Sequence, residues 1–177
     1  MSQLPQTATA RRILLWSILG VMLPVLAACG AGPVGRAETR WEAAGAEAYR
    51  FHLREFRSVW CVYEVDLVVQ GSQVMTATVT ARPGPAQGCW DYTQGVVERP
   101  VALSPEEAPT HWTIPGIFEI ARDWQEQAGQ KGLRVELEFD PELGYPLRIY
   151  RDNEAAYDDD WGLSISKLEI LAGGAAQ

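Results

Sequence analysis

The feature that most constrains the fold is a two-residue alternation of apolar and charged side chains. It is clearest over 133–139, where every second residue is apolar and the residues between them are Arg134, Glu136 and Glu138. This period is typical of a strand that buries one face and exposes the other. We therefore predict a strand over 133–139 with one inward and one outward row of side chains.

A turn and a returning strand follow this segment. Residues 140–144 read Asp-Pro-Glu-Leu-Gly, in which the proline restricts φ and the glycine can adopt a positive φ. The returning strand is predicted over 145–151. The residues that we assign to this structural turn are Asp140, Pro141, Gly144, Tyr145 and Pro146.

Other segments alternate in the same way, namely 49–54, 61–69, 73–82, a weaker stretch at 96–103, and 161–171. Gly71-Ser72 marks a tight turn between the second and third of these, which should form an antiparallel hairpin. In the third, Met75, Ala77 and Val79 are predicted to face inward. The alternation of the last segment slips between Ile165 and Leu168, which predicts a β-bulge.

Two segments have helical periodicity instead. Residues 38–47 form one predicted helix, and a longer amphipathic helix begins after Thr113 and runs to about Gly129. Helix, strands, helix and strands follow one another without regular strand–helix alternation, so the order predicts an α+β fold. We expect a single domain with an antiparallel sheet covered by the amphipathic helix.

The first 28 residues have the composition of a targeting segment. Arg11 and Arg12 precede an almost wholly apolar run at 13–26, shorter than the roughly 20 residues that span a bilayer as a helix. Leu26-Ala27-Ala28-Cys29 resembles the lipobox of bacterial lipoproteins, in which lipid is attached to the cysteine sulfur and cleavage occurs just before it. The alternatives are an ordinary cleaved signal peptide and an N-terminal anchor helix.

This interpretation divides the chain into four parts. They are a lipoprotein signal peptide that is removed (1–28), the lipidated cysteine with a short tether (29–37), an α+β domain (38–171) and a frayed tail (172–177). Lipid on Cys29 would anchor the domain to a bacterial membrane, facing the periplasm or the cell exterior.

The charge of the chain excludes one class of partner. The 177 residues carry a formal net charge of −8, and without residues 1–28 the remaining 13 basic and 23 acidic groups give −10. Nucleic acid would repel such a domain, so no nucleic-acid partner is expected.

Two cysteines lie beyond Cys29, in the body of the domain. Export would place Cys61 and Cys89 in an oxidising compartment, where an even pair is usually bonded. We expect a structural disulfide between them, and the alternative is two unpaired buried thiols.

Catalytic and metal-binding patterns are sparse. His52 and His111 are interpreted as surface residues, and no nucleophile elbow or phosphate-binding glycine loop is found. The acidic groups in 152–154 and 158–160 could suit Ca²⁺, but their spacing is not that of an EF-hand, and a solvated loop is favoured. No metal, cofactor or catalytic residue is assigned.

The tryptophans are the best candidates for ligand contact. Several should fill the core. Trp60, Trp90 and Trp112 lie near predicted strand ends or loops, and we assign them to the rim of an aromatic-lined groove for a glycan, peptide or lipid.

Two segments resemble an uncharacterised bacterial family whose domain has no known function. Residues 113–120, Thr-Ile-Pro-Gly-Ile-Phe-Glu-Ile, are similar to the family's Thr-Val-x-x-Leu-Phe helix start. Residues 139–146, Phe-Asp-Pro-Glu-Leu-Gly-Tyr-Pro, are similar to its (Tyr/Phe)-Asp-Pro-x-x-Gly-(Tyr/Phe)-Pro hairpin, and the Trp41 and Tyr49 pair also fits. Members are small exported proteins, many of them lipoproteins, often with two closely spaced cysteines where this chain has only Cys61. The resemblance implies a fold but no activity.

The leading functional hypothesis is a membrane-anchored envelope lipoprotein with a non-catalytic binding domain. Its partner would be an envelope protein, a peptide or a lipid. The alternatives are a carrier that holds an apolar ligand in a cavity under a curved sheet, and a small hydrolase without a recognisable motif.

Overall fold

Seven strands form one antiparallel sheet in the computed structural model, which describes residues 32–57, 61–83, 100–156 and 159–172. The strands are β1 (Ala48–Arg57), β2 (Cys61–Gln70), β3 (Gln73–Pro83), β4 (Val101–Leu103), β5 (Leu133–Phe139), β6 (Pro146–Asn153) and β7 (Trp161–Ile170). The helices in the described residues are α1 (Pro33–Ala44), α2 (Ile114–Gln127) and a 3₁₀ turn at Thr110–Trp112. The α+β class and the antiparallel sheet are as predicted.

The strand order places the first strand at the centre of the sheet. The order is β4-β3-β2-β1-β7-β6-β5, so β1 pairs with β2 on one side and with the last strand on the other. Along β1, Tyr49, Phe51 and Leu53 are buried while Arg50 and Arg54 are exposed, as the alternation predicted. The sheet therefore has a face covered by the helices, called here the covered face, and an opposite face, called the open face.

The β2–β3 hairpin forms around Gly71, as predicted, with a φ of +59° at that residue. Its register shifts by one residue, because Val68 pairs with Thr76 while Val69 pairs with Val74. Val74 is buried and Met75 is only partly buried. The prediction that Met75 faces inward was wrong because a bulge interrupts the alternation there.

The β5–β6 turn is closed by the side chain of Asp140. Its Oδ1 accepts hydrogen bonds from the backbone N–H groups of Glu142 at 3.0 Å and Leu143 at 2.7 Å. Gly144 has a φ of +84°, and a Cβ built there would lie 2.1 Å from the carbonyl oxygen of Ala37 in α1. The turn occupies 141–143 and Pro146 already begins β6, while Gly144 lets the turn approach the helix.

Helix α2 begins where the sequence predicted. Thr113 is its N-cap, and its hydroxyl accepts a hydrogen bond from Gly116 N–H at 3.1 Å. The apolar side of α2 joins the core of the covered face, and the buried Ile114 donates its N–H to the hydroxyl of Tyr49 at 3.1 Å. Burial raises the pKa of Tyr49 to about 12 although it accepts this hydrogen bond, so the phenol stays neutral.

Helix α1 begins earlier than predicted. Residues 33–36 belong to its first turns rather than to a tether, and it ends at Ala44 rather than at residue 47. Pro33 suits the first turn because its missing N–H would have no partner there. Val34, Ala37 and Trp41 are buried at helical spacing, and the Trp41 ring meets Tyr49 edge-on with centroids 5.2 Å apart. These contacts explain why the helix extends into the predicted tether.

The last strand contains the predicted bulge. Its register with β1 shifts between the pairs His52–Ser166 and Arg50–Glu169, and Lys167 adopts a φ of +57°. Of the weak strand predicted at 96–103, the structure describes the part at Val101–Leu103.

Candidate functional site

A buried carboxylate lies at one end of the covered face. Glu55 follows Leu53 in the inward row of β1, and its side chain is fully buried. Trp112 Nε1 donates to its Oε2 at 2.7 Å, Trp161 Nε1 donates to its Oε1 at 3.1 Å, and Arg57 Nε donates to Oε1 at 2.7 Å. Three chain segments far apart in sequence therefore meet on one side chain.

His111 completes this cluster. Its Nε2 is buried and lies 3.5 Å from Oε1 of Glu55, and its ring meets Trp112 and Trp161 edge-on at about 6 Å. Burial disfavours the ionised form of Glu55, but the imidazole of His111, the charge of Arg57 and the indole of Trp112 outweigh it, so the pKa of Glu55 is lowered. Glu55 is therefore ionised at neutral pH.

The Glu55 cluster is better suited to holding elements together than to chemistry. Both oxygens of Glu55 are occupied by donors from the protein, and the carboxylate is sealed from solvent. A carboxylate in this state cannot reach a substrate atom, but it can fix the end of β1 to β7 and to the segment before α2. We therefore assign a structural role to the Glu55 cluster.

The open face of the sheet has a different character. At the start of β7 its residues are small, with Gly162 and Ser164 in neighbouring outward positions. Gly162 lies between Phe56 of β1 and Tyr150 of β6 in the sheet ladder. Two aromatic side chains therefore flank a position that has no side chain.

The next ladder position carries charge instead of rings. Ser164 lies between Arg54 of β1 and Arg148 of β6. These two arginines, with Phe56 and Tyr150, line an open concavity of about 440 Å³ whose described lining also includes Arg134. We call this concavity the β7 groove.

The arginines of the β7 groove have acidic neighbours at its edges. Arg148 is 3.3 Å from Glu136, which also contacts Arg134, and Arg54 is 3.8 Å from Glu64. All three arginine side chains are more than half exposed. Such exposed pairs are weak, so a ligand anion can compete for the guanidinium groups.

Tyr150 contributes both a ring and a hydroxyl to the groove. The guanidinium of Arg148 lies over its ring, 5.4 Å from the centroid. Burial and the nearby carboxylates of Asp152 and Asp160 raise the pKa of Tyr150, so its hydroxyl remains a neutral donor at neutral pH.

A second concavity of about 400 Å³ lies at the other end of the open face. His52 is central to it, and its two ring nitrogens each lie 2.9 Å from a carboxylate oxygen, of Asp66 and of Glu64. Burial lowers the pKa of His52, but the two carboxylates outweigh burial and raise it. Both nitrogens are thus committed to protein partners, which leaves the imidazole little capacity for a ligand.

The predicted site residues have three outcomes. Trp112 is fully buried with its indole on Glu55, so its assignment to a ligand rim was wrong, because the 3₁₀ turn at 110–112 folds it inward. Trp60 and Trp90 lie outside the described residues, as do Cys29 and Cys89. Cys61 is buried at the start of β2, and its pairing with Cys89 stays a prediction.

The acidic loop after β6 makes contacts within the protein. Asp159 receives a hydrogen bond from Asn153 at 3.3 Å and lies 3.5 Å from Arg151, whereas Asp158 is outside the described residues. In the part of the chain that the structure describes, no three His, Cys, Asp or Glu side chains are grouped to hold a metal ion.

Sequence reasoning missed both Glu55 and the β7 groove. Glu55 had a detectable signal, since it continues the inward row of Tyr49, Phe51 and Leu53 although it is acidic. The groove depends on which strands flank β7, and that information is not contained in the alternation of any single strand.

Neither α1 nor α2, the two longer helices among the described residues, is long and apolar enough to cross a membrane. No curated protein and no solved structure matches the chain. A family model matches residues 34–170, from the first turn of α1 to the end of β7. The chain therefore belongs to the family of unknown function DUF6174.

Proposed function

We propose that this chain is a membrane-anchored lipoprotein of the bacterial envelope whose domain binds a ligand on the open face of its sheet. The observation that carries the binding role is the β7 groove, where Phe56 and Tyr150 flank Gly162 and two arginines flank Ser164. Concave sites that combine aromatic walls with a few polar groups are the usual form of ligand sites.

The non-catalytic character of the proposed role is supported by the chemistry of the described residues. Glu55 is fully buried on the covered face with both oxygens bound by protein donors, and its neighbour His111 lies beside it there, away from the groove. The groove itself offers guanidinium groups, hydroxyls and rings, which recognise and orient ligands.

The anchoring role is supported by the order of residues before the domain. A basic pair, an apolar run and Leu-Ala-Ala-Cys end at Cys29, and α1 begins at Pro33. Few residues would then separate the lipid from the fold, so the domain would sit close to the membrane. Export would also place Cys61 and Cys89 where a disulfide is stable.

Anchoring is tested by Cys29→Ser in the full chain. The substitution should abolish incorporation of radiolabelled palmitate and release the protein from the membrane fraction. Labelling that survives the substitution would overturn the anchoring proposal.

Binding on the open face is tested by site-specific photocrosslinking in the native envelope. A benzoylphenylalanine at Arg134, exposed at the rim of the β7 groove, should give one defined mass adduct after irradiation. The same group at Glu126, exposed on α2, is the matched control. Equal labelling at both positions, or no adduct at Arg134, would contradict the proposal.

A further inference from the structure

We infer that the β7 groove takes a small organic anion that carries a flat apolar group. This inference rests on the proposed binding function and specifies its ligand. The argument combines the position of the arginines, the position of the rings, the distance between them and the charge of the rest of the molecule.

The anion subsite lies over Ser164. Arg54 and Arg148 occupy the strands on either side of β7 at the same ladder position, so they are about 10 Å apart at their backbones. Arginine side chains are long enough to converge across that distance. Their planar donor forks suit carboxylate, sulfonate and phosphate oxygens.

The flat-group subsite lies against Tyr150 and Phe56, beside Gly162. Gly162 is buried, and a Cβ built on it would come within 3.1 Å of Cδ2 of Tyr150, which shows that the Tyr150 ring covers the bare backbone there and offers its own outer surface to the groove. Phe56 forms the opposite wall at the same ladder position. A flat apolar group placed there would contact two rings, an arrangement that favours stacking or edge-on contact.

The two subsites are neighbours on one strand face. Gly162 and Ser164 are two residues apart, which is about 7 Å along an extended strand. A ligand that reaches both subsites therefore needs its charged group about 7 Å from the centre of its flat group. This is the spacing found in an acid whose ring is separated from the charged group by a second ring or a short alkyl chain.

Size and charge favour a small molecule over a polymer. The concavity of about 440 Å³ falls within the range of small-ligand sites. The chain has a net charge of −8, which repels nucleic acids, acidic proteins and anionic bilayers at long range. A single small anion experiences much less of this repulsion, and the local arginines can outweigh it.

The test uses biphenyl-4-sulfonate, whose outer ring has this spacing from the sulfonate, as the probe and biphenyl-4-sulfonamide as its neutral analogue. The full chain is held in phosphatidylcholine nanodiscs, with empty nanodiscs as the blank, and binding is followed by ligand-observed NMR titration. We expect Arg54→Gln with Arg148→Gln to weaken sulfonate binding at least about ten-fold, because two charge-assisted contacts are lost. The sulfonamide should change less than about two-fold.

A second double variant separates local recognition from net charge. Arg40→Gln with Arg122→Gln removes the same charge from exposed positions on the helices and should change sulfonate binding less than about two-fold. Ser164→Leu keeps both arginines but fills the floor between them, and should weaken both probes. Melting temperatures of all variants identify any that fail to fold.

Three outcomes would overturn the inference. They are no sulfonate binding by the native chain, equal losses in the two double variants, and equal losses for sulfonate and sulfonamide. If any of these occurs while crosslinking at Arg134 still gives its adduct, the binding function stands and only the ligand class is wrong. If that adduct is absent while the arginine effect is found, the groove recognises this class of anion, and it is the binding of an envelope ligand that is refuted.

Discussion

The two faces of the sheet use acidic residues in opposite ways. On the covered face, Glu55 is sealed and accepts hydrogen bonds from two indoles and a guanidinium. On the open face, Asp66 of the neighbouring strand contacts His52, and its side chain is 78% exposed, so water can compete for that contact. The acidic group on the covered face stabilises the fold through buried contacts, whereas the acidic group on the open face remains accessible to solvent.

The largest expected effect comes from neutralising the buried member of this pair. Glu55→Gln removes the charge that faces Arg57 and turns an N–H group toward donors, so we expect a loss of about 4 kcal/mol in unfolding free energy. Asp66→Asn, the control on the open face, should cost no more than about 1 kcal/mol. Urea unfolding at pH 7 measures both, and equal losses would contradict the comparison.

The stabilities of the native chain and of Glu55→Gln should also differ in their dependence on pH. Because the folded pKa of Glu55 is lowered from the ordinary value of 4.5, its contribution is present above that pH and is lost as the pH falls through the folded pKa. The stability difference between the native chain and Glu55→Gln should therefore shrink below about pH 4.5. A difference that stays constant down to pH 2.5 would show that the effect is not ionic.

The next largest effect is expected where the β5–β6 turn packs closely against α1. Gly144→Ala adds a Cβ at a positive φ and places it against the backbone of α1, so we expect a loss of about 3 kcal/mol. Gly45→Ala has a similar φ of +61° but meets no atom within 4 Å, and should cost about 1 kcal/mol. Thermal melts of both variants separate close packing from backbone strain, and equal costs would mean that the contact with Ala37 does not matter.

The smallest effect belongs to the open face. The folded pKa of His52 is raised from 6.5 because its two carboxylate partners outweigh burial. Its contribution is full below pH 6.5 and is lost as the pH rises through the folded pKa. His52→Gln should therefore cost under about 1 kcal/mol at pH 5.5 and approach zero at pH 9. Arg50→Gln, which removes a charge that persists across this range, should show no such trend between the two pH values.

The local elements were largely predictable, whereas their arrangement was not. The alternation identified the inward rows of β1 and β2, the turn at 140–144 and the cap at Thr113, because each depends on neighbouring residues. Helix α1 was placed too late, since its first turn is fixed by contacts of Val34 with α2 and the core.

The candidate site was the least predictable part. Trp112 was expected at a surface because it lies between predicted elements, but a distant carboxylate on β1 draws its indole inward. The β7 groove is formed by β1, β6 and β7, which become neighbours only when the sheet has formed. No local pattern in the sequence contains that neighbourhood.

The pairing of β1 with β7 also bears on how the chain reaches its folded state. A hydrogen bond across this pair joins Arg50 to Glu169, residues separated by 119 positions. The β1–β7 ladder can therefore form only after nearly the whole domain has been synthesised. Contacts of such long range are associated with slow folding. Until then β1 presents an unpaired strand edge with which other chains can pair. Aggregation can therefore compete with folding before β7 is in place.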